Sequence, residues 1–281
     1  MLRKSVTTFL VTAISCTVLA GVSVASPDLE IELKNEVELQ NEVLQPSVSL
    51  ASKLSGLEFS SDITQEQINS LNPAMIHELA SEEGEILSIK TTESVLNTIP
   101  GQDASIMQMP KSDFELTVVA QRIPAPAGYP SNGDYFRFLA TGDWKIDPFY
   151  NFTDAIALSW SDNFTLYEDR AYVTYGPGDD LTQYETWTSR STVDAEQGVG
   201  YNIDMLYDYI EKYVVLVARV YKHPNETGSA NVVAEYGHVQ LTGRDVTIGF
   251  ESGNGGSSVS MSVGFGATLN KAIPAYDDFI Y

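Results

Sequence analysis

The chain reads as mainly β, an antiparallel two-sheet sandwich with a short helical and acidic N-terminal extension. Three features predict this. Beyond Asp113, apolar and polar residues alternate with period two in short runs. Turn residues punctuate the runs at steady intervals, as in Pro124-Ala125-Pro126, Ser131-Asn132-Gly133, His223-Pro224-Asn225 and Gly253-Asn254-Gly255-Gly256. A hydrophobic fraction of 43%, with 10% aromatic residues, can fill one core between two such sheets.

The elements follow from the N-terminus. Arg3 and Lys4 precede an apolar run from Phe9 to Val24 that closes on Ser23-Val24-Ala25. Charged, apolar and small residues in that order form a secretory signal peptide, here residues 1–25, so the expected location is secreted and extracellular. Thr12, Ser15, Thr17 and Ser23 dilute the run too far for a good membrane anchor. Cys16, the only cysteine, lies inside the apolar run. Its removal with the leader excludes disulfides, thiol catalysis and thiolate metal sites from the mature chain.

Residues 26–61 alternate acids with isolated aliphatics, as in Leu29-Glu30-Ile31-Glu32-Leu33, and have no aromatic before Phe59. That composition predicts a flexible acidic arm. Residues 62–112 read as a small helical and strand element or a pro-segment. Asp62 or Thr64 caps a first helix, Asn72-Pro73 breaks it, Ala74 to Ala80 forms a second, and a strand runs from Ile86 to Thr91.

Residues 113–281 form the expected β-sandwich domain. Its strands are Phe114 to Arg122, Tyr135 to Thr141, Ala155 to Trp160, Phe164 to Tyr167, Arg170 to Tyr175, Gln183 to Ser189, Val199 to Met205, Tyr213 to Tyr221, Ala230 to Thr242, Val246 to Phe250 and Ser258 to Ala267. The last two make a hairpin in which Val259, Met261, Val263 and Phe265 alternate with serine and glycine. An apolar face opposite a small polar face resembles the membrane-inserting hairpins of β-pore-forming toxins. Its short return strand, with Arg244 and Asp245 just behind, favours an ordinary half-buried hairpin over a spanning one.

With 16 basic against 38 acidic residues the formal charge is −22. Phosphate recognition needs clustered Lys and Arg, so nucleic acid and anionic lipid are poor partners. Asp179-Asp180, Asp277-Asp278, Asp134 and Asp143 supply oxygen ligands of the kind calcium prefers, without EF-hand spacing, so calcium enters only as a possible structural ion. His77, His223 and His238 stand without partners at metal-ligand spacing, and no Gly-x-Ser-x-Gly elbow accompanies them. No acid, base and nucleophile assemble by spacing, and no catalytic residue is assigned.

Aromatic residues carry the binding expectation. Trp160 alternates with Ile156 and Leu158 and belongs to the core. Tyr184 and Trp187, three apart, would point to opposite faces of a regular strand. Trp144, in Gly142-Asp143-Trp144-Lys145, is the candidate for an exposed loop ring, with Tyr129 and Tyr150 as further loop aromatics. Such rings stack on sugars, which makes carbohydrate the expected partner. A membrane is the partner only under the alternative that the C-terminal hairpin rearranges.

Asp134-Tyr135-Phe136-Arg137-Phe138, the run from Thr153 to Trp160, and Tyr236-Gly237-His238 resemble uncharacterised secreted proteins of Bacillus-type Gram-positive bacteria. That resemblance implies export and a β domain and adds no mechanism. The reading that follows is a secreted, non-enzymatic protein that binds a cell-envelope or environmental polysaccharide.

Overall fold

The computed structural model describes residues 53–96, 112–146, 148, 153–176, 181–205, 212–224, 228–240, 246–253, 256–264 and 267–281. The chain is mainly β. Along it run β1 (Leu57–Phe59), α1 (Gln65–Asn69), α2 (Pro73–Ala80), β2 (Gly84–Ser94), β3 (Phe114–Ile123), β4 (Tyr135–Trp144), β5 (Thr153–Trp160), β6 (Phe164–Tyr175) and β7 (Thr182–Tyr184). A 3-10 turn (Glu185–Trp187) leads to β8 (Thr188–Asp194), β9 (Gly198–Asp204), β10 (Lys212–Lys222), β11 (Ser229–Val239), β12 (Thr247–Gly253), β13 (Gly256–Ser262), β14 (Leu269–Lys271) and β15 (Ala275–Ile280).

Two large sheets face each other. One has seven strands in the order β1-β2-β3-β4-β10-β6-β7; the other has six, β14-β11-β5-β9-β8 with β15 also on β11. All described pairings are antiparallel except β1 with β2, which α1 and α2 connect as a crossover. The inner faces enclose Phe114, Phe138, Trp160, Phe164, Leu216 and Tyr236 in one core.

A second layer covers each outer face. On β10, Val214, Leu216, Ala218 and Val220 point into the sandwich, while Tyr213, Val215 and Val217 join Leu71, Met75 and Leu79 under the helices. Burial on both sides explains why β10 reads as a continuous apolar run. Against the six-stranded sheet lies the β12–β13 hairpin, a separate two-stranded sheet packed over Ala155, Ala157 and Val239.

The helix signals hold in detail. Thr64 caps α1 in a reciprocal box with Gln67, and Asn72 caps α2 with Pro73 in its first turn. The segment they belong to is part of the main body. β2 pairs along its length with β3, across residue 113, and β1 lies within the stretch read as an acidic arm. Residues 1–52, which include the segment read as a signal peptide and most of the expected acidic arm, lie outside the described residues.

Several strand boundaries differ from expectation. β6 is continuous where two strands, Phe164 to Tyr167 and Arg170 to Tyr175, were expected; the intervening Glu168 pairs with Arg219 and Asp169 with Arg190. β7 and β8 are interrupted by the 3-10 turn, where one strand was expected. β14 and β15 were not anticipated, and Asp277 and Asp278 belong to β15 rather than to a turn.

Candidate ligand-binding groove

At the end of the sandwich where β4 begins and β10 finishes, the turn preceding β4 folds back on itself. Tyr129 N–H donates to Pro126 O and Gly133 N–H to Pro130 O, and the Tyr135 hydroxyl donates to Pro130 O at 3.1 Å. Gly133 sits so close to the Tyr135 ring that a Cβ there would lie 2.9 Å from it, so the tight wrap requires glycine. Lys222 fastens this turn to β10, its N–H on Asp134 O at 2.9 Å and its Nζ on Asp134 Oδ2 at 3.0 Å.

The result is a groove of about 660 Å³ between Tyr129, Pro130 and Asn132 on one side and Tyr221, His223 and Pro224 on the other. Tyr129 is 42% exposed and Tyr221 37%, among the most exposed large apolar side chains described. Tyr129 rests on Tyr167 and Tyr135, with ring centroids 4.9 and 5.8 Å apart. Tyr167 gets there through a bulge: Val220 pairs with Leu166 and Arg219 with Glu168, leaving Tyr167 as the extra residue. Bulges re-aim a side chain in this way. Burial pushes the Tyr167 phenol well up, and its hydroxyl has no hydrogen-bond partner. It supports Tyr129 as a neutral ring. Across the groove the His223 ring, its Nε2 2.7 Å from Thr165 Oγ1, stands 6.4 Å from Tyr221.

Exposed phenol faces flanking a few amide, carboxylate and ammonium groups suit a ligand with flat apolar patches and many hydroxyls. A larger cleft of about 770 Å³ lies between the helices and the far ends of β2, β3 and β4. Three of its charges are paired with one another. Lys145 Nζ lies 2.8 Å from Glu115 and 2.6 Å from Asp143, and although burial opposes it, those two carboxylates hold its pKa up.

Of the sequence candidates, Tyr129 lies in the groove. Trp144 does not, and is corrected: it ends β4, 3% exposed, opposite Phe114 and Lys212. The turn-like Gly142-Asp143 is strand, with Asp143 and Lys145 bonded on one face while Trp144 points inward and donates from Nε1 to the Tyr236 hydroxyl at 3.1 Å. Tyr150 lies outside the described residues. Tyr184 and Trp187 are also corrected. Rather than pointing apart they stack at 3.9 Å and 13°, because the 3-10 turn brings residues three apart into register.

Val259 and Met261 are buried against the six-stranded sheet and Val263 partly so; Phe265 lies outside the described residues. Of the acidic residues offered for calcium, Asp134 and Asp143 pair with lysines, and Asp179 and Asp180 lie outside the described residues. Sequence spacing missed Tyr135, Tyr167, Tyr221 and His223. The usable signal was a tyrosine beside a proline turn at both Tyr129-Pro130 and Tyr221-Lys222-His223-Pro224. Spacing also missed a buried polar chain in which the Tyr236 hydroxyl, His238 Nδ1 and Val239 N–H meet the Asp154 carboxylate at 2.5, 2.9 and 3.3 Å. Burial, then Asp154, pushes the Tyr236 phenol well up, and this cluster ties β5 to β11 inside the core.

No protein-family description and no curated protein matches the chain. Among solved structures it is similar to the Clostridium perfringens NetB toxin in the membrane inserted form, with a TM-score of 0.26 and 10% identity over 66% of this chain and 94% of that one. It is also similar to the RrgB pilus backbone of Streptococcus pneumoniae, with a TM-score of 0.30 and 10% identity over 69% of this chain and 48% of that one. The collagen adhesin of S. aureus has a TM-score of 0.25 and 10% identity over 70% of this chain and 85% of that one. Among the described residues no helix is long and apolar enough to cross a membrane.

Proposed function

We propose that the chain is an exported, extracellular binding protein that takes a cell-envelope or environmental polysaccharide in the groove between Tyr129 and Tyr221. The observation that carries this reading is the pair of exposed phenol rings on opposite walls of one groove, each held on ordered backbone. Sugar rings present axial C–H faces to such aromatics, and Asn132, Asp134 and Lys222 stand within the same groove to meet hydroxyl groups. The secretory leader expected from the sequence accords with this reading, since polysaccharide is abundant outside the cell. The reading involves no covalent chemistry.

Affinity electrophoresis through gels containing soluble cell-wall polysaccharide tests it. The native chain should be retarded. Tyr129→Ala and Tyr221→Ala should each weaken retention about tenfold, the loss expected when one stacking contact of about 1–1.5 kcal/mol goes. Trp144→Phe, far from the groove, should leave it unchanged. Equal retention of the tyrosine variants and the native chain would sink the assignment.

A further inference from the structure

The β12–β13 hairpin is attached to the rest of the molecule in an unusual way. Among the described residues no β-ladder joins it to either large sheet, and no ion pair reaches it. Its polar ties are at its two ends. Near the turn, Asn231 Oδ1 accepts from Ser257 N–H at 3.0 Å and from Ser257 Oγ at 2.5 Å; at the base, Val246 N–H donates to Asn202 and Ser191 Oγ to Val246 O. Gly256, at φ +103°, turns the chain into β13 in a conformation that favours glycine.

Between those ends the contact is apolar. Ile248, Phe250, Val259 and Met261 lie on a bed of small residues, Ala155, Ala157 and three glycines, with Val239 beside them. A Cβ on Gly200 would come 2.6 Å from Ile248 Cδ1, one on Gly198 2.6 Å from Phe250, and one on Gly237 3.2 Å from Met261 Sδ. The opposite face, Ser258, Ser260 and Ser262, is exposed. From Val246 to Gly264 the only charge is Glu251, in a chain of net charge −22.

We propose that this hairpin is a separable membrane-contact element, which lifts from the six-stranded sheet and lays its apolar face in the interfacial layer of an uncharged lipid surface. Apolar contact is not directional, so a layer of acyl chains can replace this bed of small apolar residues where water cannot. The charge pattern selects the lipid. With no Lys or Arg on the hairpin and a strongly acidic chain behind it, anionic headgroups repel while zwitterionic ones do not. Length sets the depth. Each strand has seven residues, about 24 Å at ~3.4 Å per residue, whereas a tilted spanning strand takes about 9–11 residues. The hairpin therefore lies in the interface, exposed serines toward water.

The test is flotation with phosphatidylcholine vesicles, using three forms of the chain. In the first, Asn231→Cys and Ser257→Cys, with Cys16→Ser, lock the hairpin to β11 through a disulfide; reduction frees the same polypeptide and serves as its own folding control. In the second, Gly200→Val crowds Ile248 from below without meeting its own sheet, which a side chain at Gly198 would do against Leu158 O. The third is the native chain. The native and reduced forms should float, the oxidised form should fall to the level of protein without vesicles, and Gly200→Val should float several-fold more than native. Phosphatidylglycerol vesicles should recover less of the native, reduced and Gly200→Val forms. Equal flotation of oxidised and reduced forms, flotation of none, or no gain from Gly200→Val would each overturn the proposal.

Discussion

The two outer layers of the sandwich bury similar kinds of apolar side chain and are fixed by different physics. Under α2, Glu78 accepts two bonds from Arg170, at 2.8 and 2.9 Å, and one from the Tyr172 hydroxyl at 2.5 Å. Arg137, wholly buried in the sheet, donates to Gln121 and to Glu78 O and faces Glu82 at 3.3 Å. Burial lowers the Arg137 pKa while Glu82 and Glu78 resist that shift. Under the hairpin, among the described residues, no ion pair corresponds to it: aliphatic and aromatic side chains lie on alanine, valine and glycine, with neutral hydrogen bonds at the two ends. A buried ion network is costly to open because each group left behind is an unpaired charge. An apolar contact has no such penalty beyond its area, and another apolar phase can satisfy it. One layer is locked and the other is exchangeable.

The largest effect should come from breaking the lock. Glu78→Ala leaves Arg137 and Arg170 without their shared carboxylate and should cost about 3–5 kcal/mol, a large fraction of a typical domain's stability. Urea titration should show it as a fall in the midpoint of the whole sandwich, since β2 and α2 belong to the same body. Met261→Ala removes a buried side chain whose loss nominally costs about 2–5 kcal/mol. The observed fall in the global midpoint should be smaller, because the cost is capped at the free energy of releasing the hairpin. A full cost in the global transition would show that the hairpin unfolds only with the sandwich.

Smaller effects sharpen the contrast. Thr64→Ala removes the capping box of α1 and should cost about 1 kcal/mol, read by the same titration. On the hairpin side, Glu235 lies on the outer face of β11 with one oxygen buried and unpartnered; burial raises its pKa, and Lys271 offsets this in part. A carboxyl raised in the folded state contributes its stability at low pH and loses it as pH climbs through the folded value. Glu235→Gln should therefore stabilise the fold at pH 7, by less than about 1 kcal/mol after allowance for solvent screening, seen as a small rise in the thermal midpoint. The gain should vanish below the ordinary glutamate pKa of about 4.3. A gain that persists at pH 3.5 would contradict the sign.

Most of the fold was legible because period-two patterning and turn residues are local. A cap at Asp62 or Thr64 and the break at Asn72-Pro73 are equally local; the structure selects Thr64 and adds a reciprocal bond from Gln67 that the sequence reading did not name. What escaped depends on partners distant in sequence. Glu168 and Asp169, which fell between two expected strands, pair with Arg219 on the adjacent β10 and with Arg190 on β8 of the other sheet. Gly142-Asp143-Trp144-Lys145 reads as a loop until its polar residues bond on one face and release Trp144 into the core. The site was legible to the extent of Tyr129. Tyr221 ends a strand, and only the register of β10 against β4 brings it beside the turn that carries Tyr129. Tyr167 depends on a one-residue bulge that no composition signal marks.

Native-state hydrogen exchange read by mass spectrometry tests the contrast between the layers most directly. Amides of Thr247–Gly253 and Gly256–Ser262 should exchange through a local opening, at rates insensitive to low denaturant and well above those of the sheet beneath them. Amides of Pro73–Ala80 should exchange only with the sandwich as a whole. Equal protection of the hairpin and α2, both tracking global unfolding, would contradict the account.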